Sequence, residues 1–545
     1  MLMISCALIF AQEIGARYLI ITHDNFYNAV QPLAQWKHKM GLRTKVVKLS
    51  ETGSSTYQIR NYVSNAYNSW PIPPEYLLLV GAPNYLPFGQ VNYTYTDNYY
   101  TNITGDIYNE ILSGRLTVHS TTEAQTVINK ILAYERTPDM TDPLWFTSAC
   151  LIARLDYDND DSIYWSDTYH AANLMITHGY TKIDTISNYY GHNTSHVLAS
   201  INNGRSILMY RGSGVNNWYS PFNVNPDLSQ NGTKLPIVLS MTCRTLGTGP
   251  TPATAERWFL TGSPTALRGG AGYFATTTVV VGQAYLRSAV TKGFFDAIFE
   301  DNKKTFGEAC EAGRARVYQM YYYQGGGDEY YGFTTIGDPA MKLWTAYPKS
   351  IDVTHDSSLF VGEDTLNVHV EYLGMPVESA FVCILMDSTI YETGYTDAGG
   401  DISFEVTLPH QGDMDVTVTG TNLYPYEGVV AVITGIEEEQ QFSPYSTIPL
   451  LRVSPNPFIG KTMISLNTGV HYDCAELHIY DVTGACVKTY SIKESTNGQM
   501  RNIQWSGLDD SNNKVPPGIY FTQLRLQKTD LHEAQLITEK IIKLN

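Results

Sequence analysis

The chain has 545 residues, of which 43% are hydrophobic and only 16% charged, with a formal net charge of −17. That length exceeds one core and fits three or four domains at ~100–200 residues each. The negative balance argues against nucleic acid or an anionic membrane as partner, because phosphate binding needs a basic stripe. No apolar run approaches the ~20 residues of a membrane-spanning helix.

In chain order, Met1 to Ala11 (MLMISCALIFA) is apolar and ends in a small residue before Gln12. It reads as the remnant of a secretory signal, with a buried first strand as the alternative. From residue 12 to about 348, short apolar runs alternate with helical stretches, which predicts a mainly parallel sheet covered by helices. The runs Tyr18–Thr22, Thr44–Leu49, Tyr76–Val80, Ser206–Tyr210, Pro236–Met241 and Gly272–Thr276 have the unbroken hydrophobicity of strands buried on both faces. Asn25–Met40 and Thr121–Glu135 have helical spacing. From 349 to 435, alternating strands and turns such as Asp397-Ala398-Gly399-Gly400 predict a small antiparallel sandwich. A glutamate-rich linker over 436–449 leads to a second all-strand module over 450–545.

The seven cysteines (Cys6, Cys150, Cys243, Cys310, Cys383, Cys474 and Cys486) show neither CxxC spacing nor a disulfide framework. Cys474 and Cys486 share one small module and are the candidate pair. Two predicted strands carry loops of chemical interest at their carboxyl ends, where open α/β sheets build sites. One runs into Arg211-Gly212-Ser213-Gly214 and the other into Thr242-Cys243-Arg244. Cys243 is the candidate nucleophile, against the alternative of inert packing.

Over about Arg17 to Pro348 the chain resembles the gingipain-type cysteine peptidases. The resemblance rests on Trp36 with Gly41-Leu42-Arg43-Thr44, Leu77-Leu78-Leu79-Val80-Gly81, Asp97 with Tyr99 and Tyr100, and Gly105-Asp106. It continues through Tyr108-Asn109-Glu110, Gly114-Arg115, Tyr134-Glu135-Arg136, the Cys243 strand and Ile336-Gly337-Asp338-Pro339. It implies a caspase-like α/β fold and peptide-bond hydrolysis through a Cys thiolate, with no cofactor required. It further implies Cys243 as nucleophile, the N–H groups of Gly214 and Cys243 as oxyanion donors, and Asp156 as the orienting acid. One position departs: Ser213 stands where the family carries its catalytic histidine. A hydroxyl binds no proton near pH 7, so it cannot stabilise the thiolate or return a proton to the leaving amine. His170, His192 and His196 are the candidate substitutes.

Asp156-Tyr157-Asp158-Asn159-Asp160-Asp161, followed by Asp167, has the alternating carboxylates of a calcium loop but lacks its glycine and its terminal glutamate. Asp156, Asp158, Asp160 and Asp167 are thus the candidate calcium ligands, against a solvated acidic loop. Asp167 is also the nearest match to the acidic floor of the family's pocket for a basic side chain. The sandwich from Ile351 resembles the family's immunoglobulin-like module. Ser454-Pro455-Asn456-Pro457-Phe458, Ile479-Tyr480-Asp481, Trp505-Ser506-Gly507 and Pro517-Gly518-Ile519-Tyr520-Phe521 resemble the sorting module of type IX secretion. That likeness implies a secretion machinery as partner and a secreted or surface location in a bacterium with an outer membrane. Three functions remain open: an impaired cysteine endopeptidase acting on protein or peptide, an inactive surface binding or adhesion protein, and a sorting transpeptidase.

Overall fold

The computed structural model describes residues 14–280, 282–434, 450–467, 474–492, 501–527 and 534–544. The predicted signal remnant and the whole of the predicted linker lie outside them. The chain divides into two compact units at Thr434/Gly435.

The first unit is built on a ten-stranded sheet. Its strands are β1 (Tyr18–Thr22), β2 (Thr44–Lys48), β3 (Tyr76–Val80), β4 (Leu112–Leu116) and β5 (Ser148–Ala153), then β6 (Lys182–Ile186), β7 (Ile207–Arg211), β8 (Ile237–Met241), β9 (Gly272–Thr276) and β10 (Phe333–Ile336). They lie in the order β2-β1-β3-β4-β10-β9-β8-β7-β5-β6. Every neighbouring pair is parallel except β9 with β10. The sheet is therefore two parallel halves running in opposite directions. Within each half the chain takes the same path, β2-β1-β3-β4 in one and β6-β5-β7-β8 in the other.

Helices cover both faces. Leu19, Ile21, Leu77 and Leu79 pack with Ile59, Val63 and Ala66 of the helix Thr56–Ser69. On the opposite face Ile20, Leu78 and Val80 share a core with α1 (Tyr27–Lys39) and α2 (Thr121–Glu135). Double coverage is why these strands read as continuous apolar runs rather than alternating ones. Over the other half lie α3 (Asp161–Thr177) and α4 (Ala284–Phe299).

Residues 349–433 form a sandwich of a four-stranded and a five-stranded sheet around Leu366, Val382, Ile384, Val416 and Val430. It is bolted to the α/β domain by polar contacts. Glu427 accepts from Arg136 at 2.6 and 2.8 Å and meets Lys39 at 3.2 Å, while the Asn422 side chain accepts from the N–H of Thr345 at 3.0 Å. In the second unit, a three-stranded and a four-stranded sheet enclose Phe458, Leu477, Trp505 and Leu524. Among the described residues, no helix is long and apolar enough to cross a membrane.

Candidate active site

In a half-sheet of order 2-1-3-4, the crevice opens at the carboxyl ends of the strands where consecutive connections go to opposite sides. In the second half that place lies between β5 and β7. The loops leaving β5, β7 and β8 carry Asp156, Ser213 and Cys243 respectively.

Glycine lets the three loops converge. A Cβ on Gly212, whose φ is +148°, would come within 2.7 Å of Cβ of Arg154 on the β5 loop. A Cβ on Gly214 would stand 2.7 Å from the carbonyl of Asn217 and 3.2 Å from Thr242, next to Cys243. The carbonyl of Ser213 accepts from the hydroxyl of Tyr210 at 2.6 Å, which fixes the turn from below. Further out, the N–H of Asn216 donates to the carbonyl of Arg244 at 2.8 Å, tying the Ser213 hairpin to the Cys243 turn.

Ser213 Oγ donates to Oδ2 of Asp156 at 2.6 Å. The other carboxylate oxygen of Asp156 takes the guanidinium of Arg154. Cys243 Sγ, partly buried, donates to the carbonyl of Val280 at 3.3 Å. Among the described residues the N–H of Cys243 meets no acceptor, as an oxyanion donor requires. The cleft has a volume of about 330 Å³, and its walls include Ser213, Gly214, Cys243, Tyr164, Asp160 and Arg287. Among the described residues, a larger groove of about 660 Å³ between α1 and the sandwich is lined by neither cysteine nor serine.

No histidine lines the cleft among the described residues. His170 on α3 meets Asp296 of α4 at 2.5 Å. The ring of His192 lies tilted against that of His196 at 4.7 Å between centroids, and His196 closes the capping box of a short helix. None of the three candidate substitutes is brought to Cys243.

The acidic residues part company. Asp167 is fully buried, accepting from Nε of Arg211 at 2.7 Å and from the hydroxyl of Ser288 at 2.5 Å. It supports the cleft from beneath Arg211 and does not floor a pocket, which corrects the sequence expectation. Nor do Asp156, Asp158, Asp160 and Asp167 converge as a calcium site: among the described residues no three His, Cys, Asp or Glu side chains gather to hold a metal. Their loop is closed by its own bonds instead. Asp161 accepts from the N–H groups of Asp156 and Tyr157 at 2.8 and 3.0 Å, and Asp158 from that of Asp160 at 2.9 Å. Burial, reinforced by the neighbouring Asp158, raises the Asp160 carboxyl above its ordinary range. Tyr164, Arg287 and Val280 went unnoticed in the sequence, where nothing distinguishes them from ordinary helix and loop residues.

The motifs of the resemblance mostly build the scaffold. Arg115, wholly buried on β4, forks onto Asp97 at 2.8 and 2.6 Å and donates to the carbonyls of Gly81 and Leu86. Lys37, also buried, lies between Glu135 at 2.5 Å and Asp338 at 2.6 Å. Removing one partner of such a buried pair would leave an uncompensated charge, so these positions resist substitution.

Residues 11–344, well over half of the chain, match the profile of peptidase family C25. The chain belongs to that family. Residues 461–530 match the FlgD Ig-like domain. Among curated C25 relatives, gingipain R2 of Porphyromonas gingivalis is 25% identical over 508 residues, covering 89% of this chain and 65% of that protein. Gingipain R1 of the same organism is 25% identical over 453 residues, covering 80% of this chain and 44% of that protein. The chain thus spans less than two thirds of either relative. The crystal structure of the Arg-specific cysteine proteinase gingipain R superposes with a TM-score of 0.69 at 23% identity, covering 78% of this chain and 99% of that one. The complex of Porphyromonas gingivalis RgpB pro- and mature domains gives 0.69 at 22% identity, covering 76% of this chain and all of the other. These two structures establish the caspase-like α/β fold of this C25 member.

Proposed function

We propose that the Cys243 cleft is a C25 peptidase site that retains its nucleophile and oxyanion donors but is impaired in its general base. The observation that carries this reading is the 2.6 Å bond from Ser213 to Asp156 beside Cys243. The acid of the family's acid–base–nucleophile series here orients a hydroxyl. A thiol of ordinary pKa ~8.5 is only a few per cent thiolate at pH 7 without a paired base. The substrate class is protein or peptide, supported by family membership.

Residues 450–545 are read as a sorting module presented to a type IX secretion machinery, which puts the protein outside the cell or on its surface. The Pro-Asn-Pro and Pro-Gly-Ile-Tyr-Phe motifs support this, and neither the FlgD Ig-like match nor the fold decides it. A second reading, a surface binding protein, is favoured by the exposure of Tyr93 (98%) and Tyr323 (95%), aromatic rings set in the solvent.

Hydrolysis of a mixed peptide library by the parent, Cys243→Ala and Ser213→His proteins tests the first reading. Turnover that is weak in the parent, absent in Cys243→Ala and greater in Ser213→His supports it. Parent turnover equal to that of Cys243→Ala, with no gain in Ser213→His, moves the binding protein into first place.

A further inference from the structure

In the C-terminal unit the strands Cys474–Asp481 and Cys486–Ile492 pair antiparallel, with Tyr480 opposite Cys486 and His478 opposite Thr489. Cys474 stands six residues down the strand from Tyr480, about 20 Å at ~3.3 Å per residue. A disulfide spans Cα atoms less than ~7 Å apart, so Cys474 and Cys486 do not pair, and Cys486 is a free thiol.

Alternate residues of a strand share a face, which sets Glu476 and His478 on the side of Cys486. Sγ of Cys486 lies 3.8 Å from Nδ1 of His478, and Nε2 of that ring lies 3.2 Å from Oε2 of Glu476. Oγ1 of Thr489 stands 3.5 Å from the sulfur and 3.3 Å from Nδ1. Nucleophile, imidazole and carboxylate follow one another in the order that activates a thiol. Cys150, Cys310 and Cys383 are buried, and burial pushes the thiols of Cys150 and Cys383 up to about 12. Cys486 is exposed.

We propose that Cys486 is a nucleophilic thiol that exchanges with cationic low-molecular-weight disulfides. His478 takes the Sγ proton at Nδ1 while its Nε2–H stays on Glu476. The thiolate attacks one sulfur of the disulfide, the S–S bond of the reagent breaks, and a mixed disulfide forms on Cys486. The departing thiolate takes the proton back from His478, so the disulfide itself is the only oxidant.

Charge selects the partner. A cavity of about 580 Å³ beside Cys486 is lined by Asp481, Asp509, Asp510 and Lys514. Lys488 reaches Asp510 at 3.5 Å, so carboxylates still outnumber ammonium groups around the opening. The hydroxyl of Thr483 holds the Asp481 carboxyl below its ordinary range, and the N–H of Asn513 does the same for Asp509. Both therefore stay charged at neutral pH.

The test uses the full chain with two aliphatic disulfides of opposite charge, cystamine and dithiodipropionate, and locates the adduct by peptide mass spectrometry. At pH 7 cystamine is expected to modify Cys486 at least about tenfold faster in the folded chain than in the urea-unfolded one, since reactivity follows thiolate character and access. It is expected to outpace dithiodipropionate by a similar factor, with the gap closing at high salt. His478→Gln removes the folded-state advantage at an unchanged thermal midpoint, and His478→Asn replaces it if the first variant loses its transition. Equal rates in folded and unfolded chains, or a rate indifferent to His478, overturn the proposal. Equal rates for the two reagents overturn its charge preference.

Discussion

Ser213 donates its hydroxyl to Asp156 at 2.6 Å, so that carboxylate already has a partner, and a serine hydroxyl cannot carry a proton to or from Cys243 near pH 7. General acid–base assistance is worth ~100- to 10,000-fold. Asp156 also binds Arg154, which fixes its carboxylate for whatever side chain replaces the serine. In a Ser213→His background, Asp156→Asn is expected to remove most of the regained activity. In the parent the same change is expected to leave the low rate nearly unaltered. A double-mutant cycle on kcat/KM reads the difference.

Asp167 is expected to govern stability rather than substrate choice. It and Arg211 are 0% and 1% exposed, and removing one partner of a buried pair costs about 3–5 kcal/mol. Urea denaturation of Asp167→Asn should show a loss in that range. A stable Asp167→Asn protein with an altered preference for basic side chains would restore the pocket role.

Acid should loosen the bolt between the sandwich and the α/β domain. Burial alone would raise the Glu427 carboxyl, but hydrogen bonds from Arg136 and Lys39 outweigh it and hold the group below its ordinary range. A depressed folded-state value adds stability above the unfolded pKa of ~4.3, and that stability is lost as pH falls through the folded value. Thermal melts from pH 7 down to 3 should show Glu427→Gln less stable than the parent at pH 7 by up to about 1 kcal/mol, the usual ceiling for partly exposed pairs. The two proteins should converge at the acid end.

Gly114 sits where β4 passes the Gly337-Asp338-Pro339 turn. A Cβ there would stand 2.3 Å from the carbonyl of Gly337 and 2.7 Å from the Pro339 ring. Backbone cannot yield as a side-chain tip can, so Gly114→Ala is expected to destabilise by at least about 1–3 kcal/mol in a denaturant titration.

These cases show what could be read from sequence. Five of the six apolar runs form strands inside the ten-stranded sheet, where burial on both faces leaves an unbroken apolar signature, while Thr44–Leu49 supplies the half-buried edge strand β2 with its Lys45 and Lys48. β4 was missed: its Arg115 looks unlike a core residue until the fork onto Asp97 is seen. β6, at the sheet edge, is only half covered and carries Lys182 and Asp184. Cys243 and Ser213 were legible as strand-end loops. The burial of Asp167 is not legible in the sequence, because spacing along a chain says nothing of a partner such as Arg211, forty-four positions away. The Cys486–His478–Glu476 arrangement was equally invisible, since it is created by strand register.

The most direct test of the central claim is kcat/KM at pH 7 for one peptide that the Ser213→His protein cleaves, measured on that variant and on the parent. The account predicts a gain of at least about 100-fold in the variant, the lower end of acid–base assistance, abolished by Cys243→Ala. A parent that cleaves the peptide as fast as Ser213→His, through Cys243, would contradict it and mean that another group serves as the base.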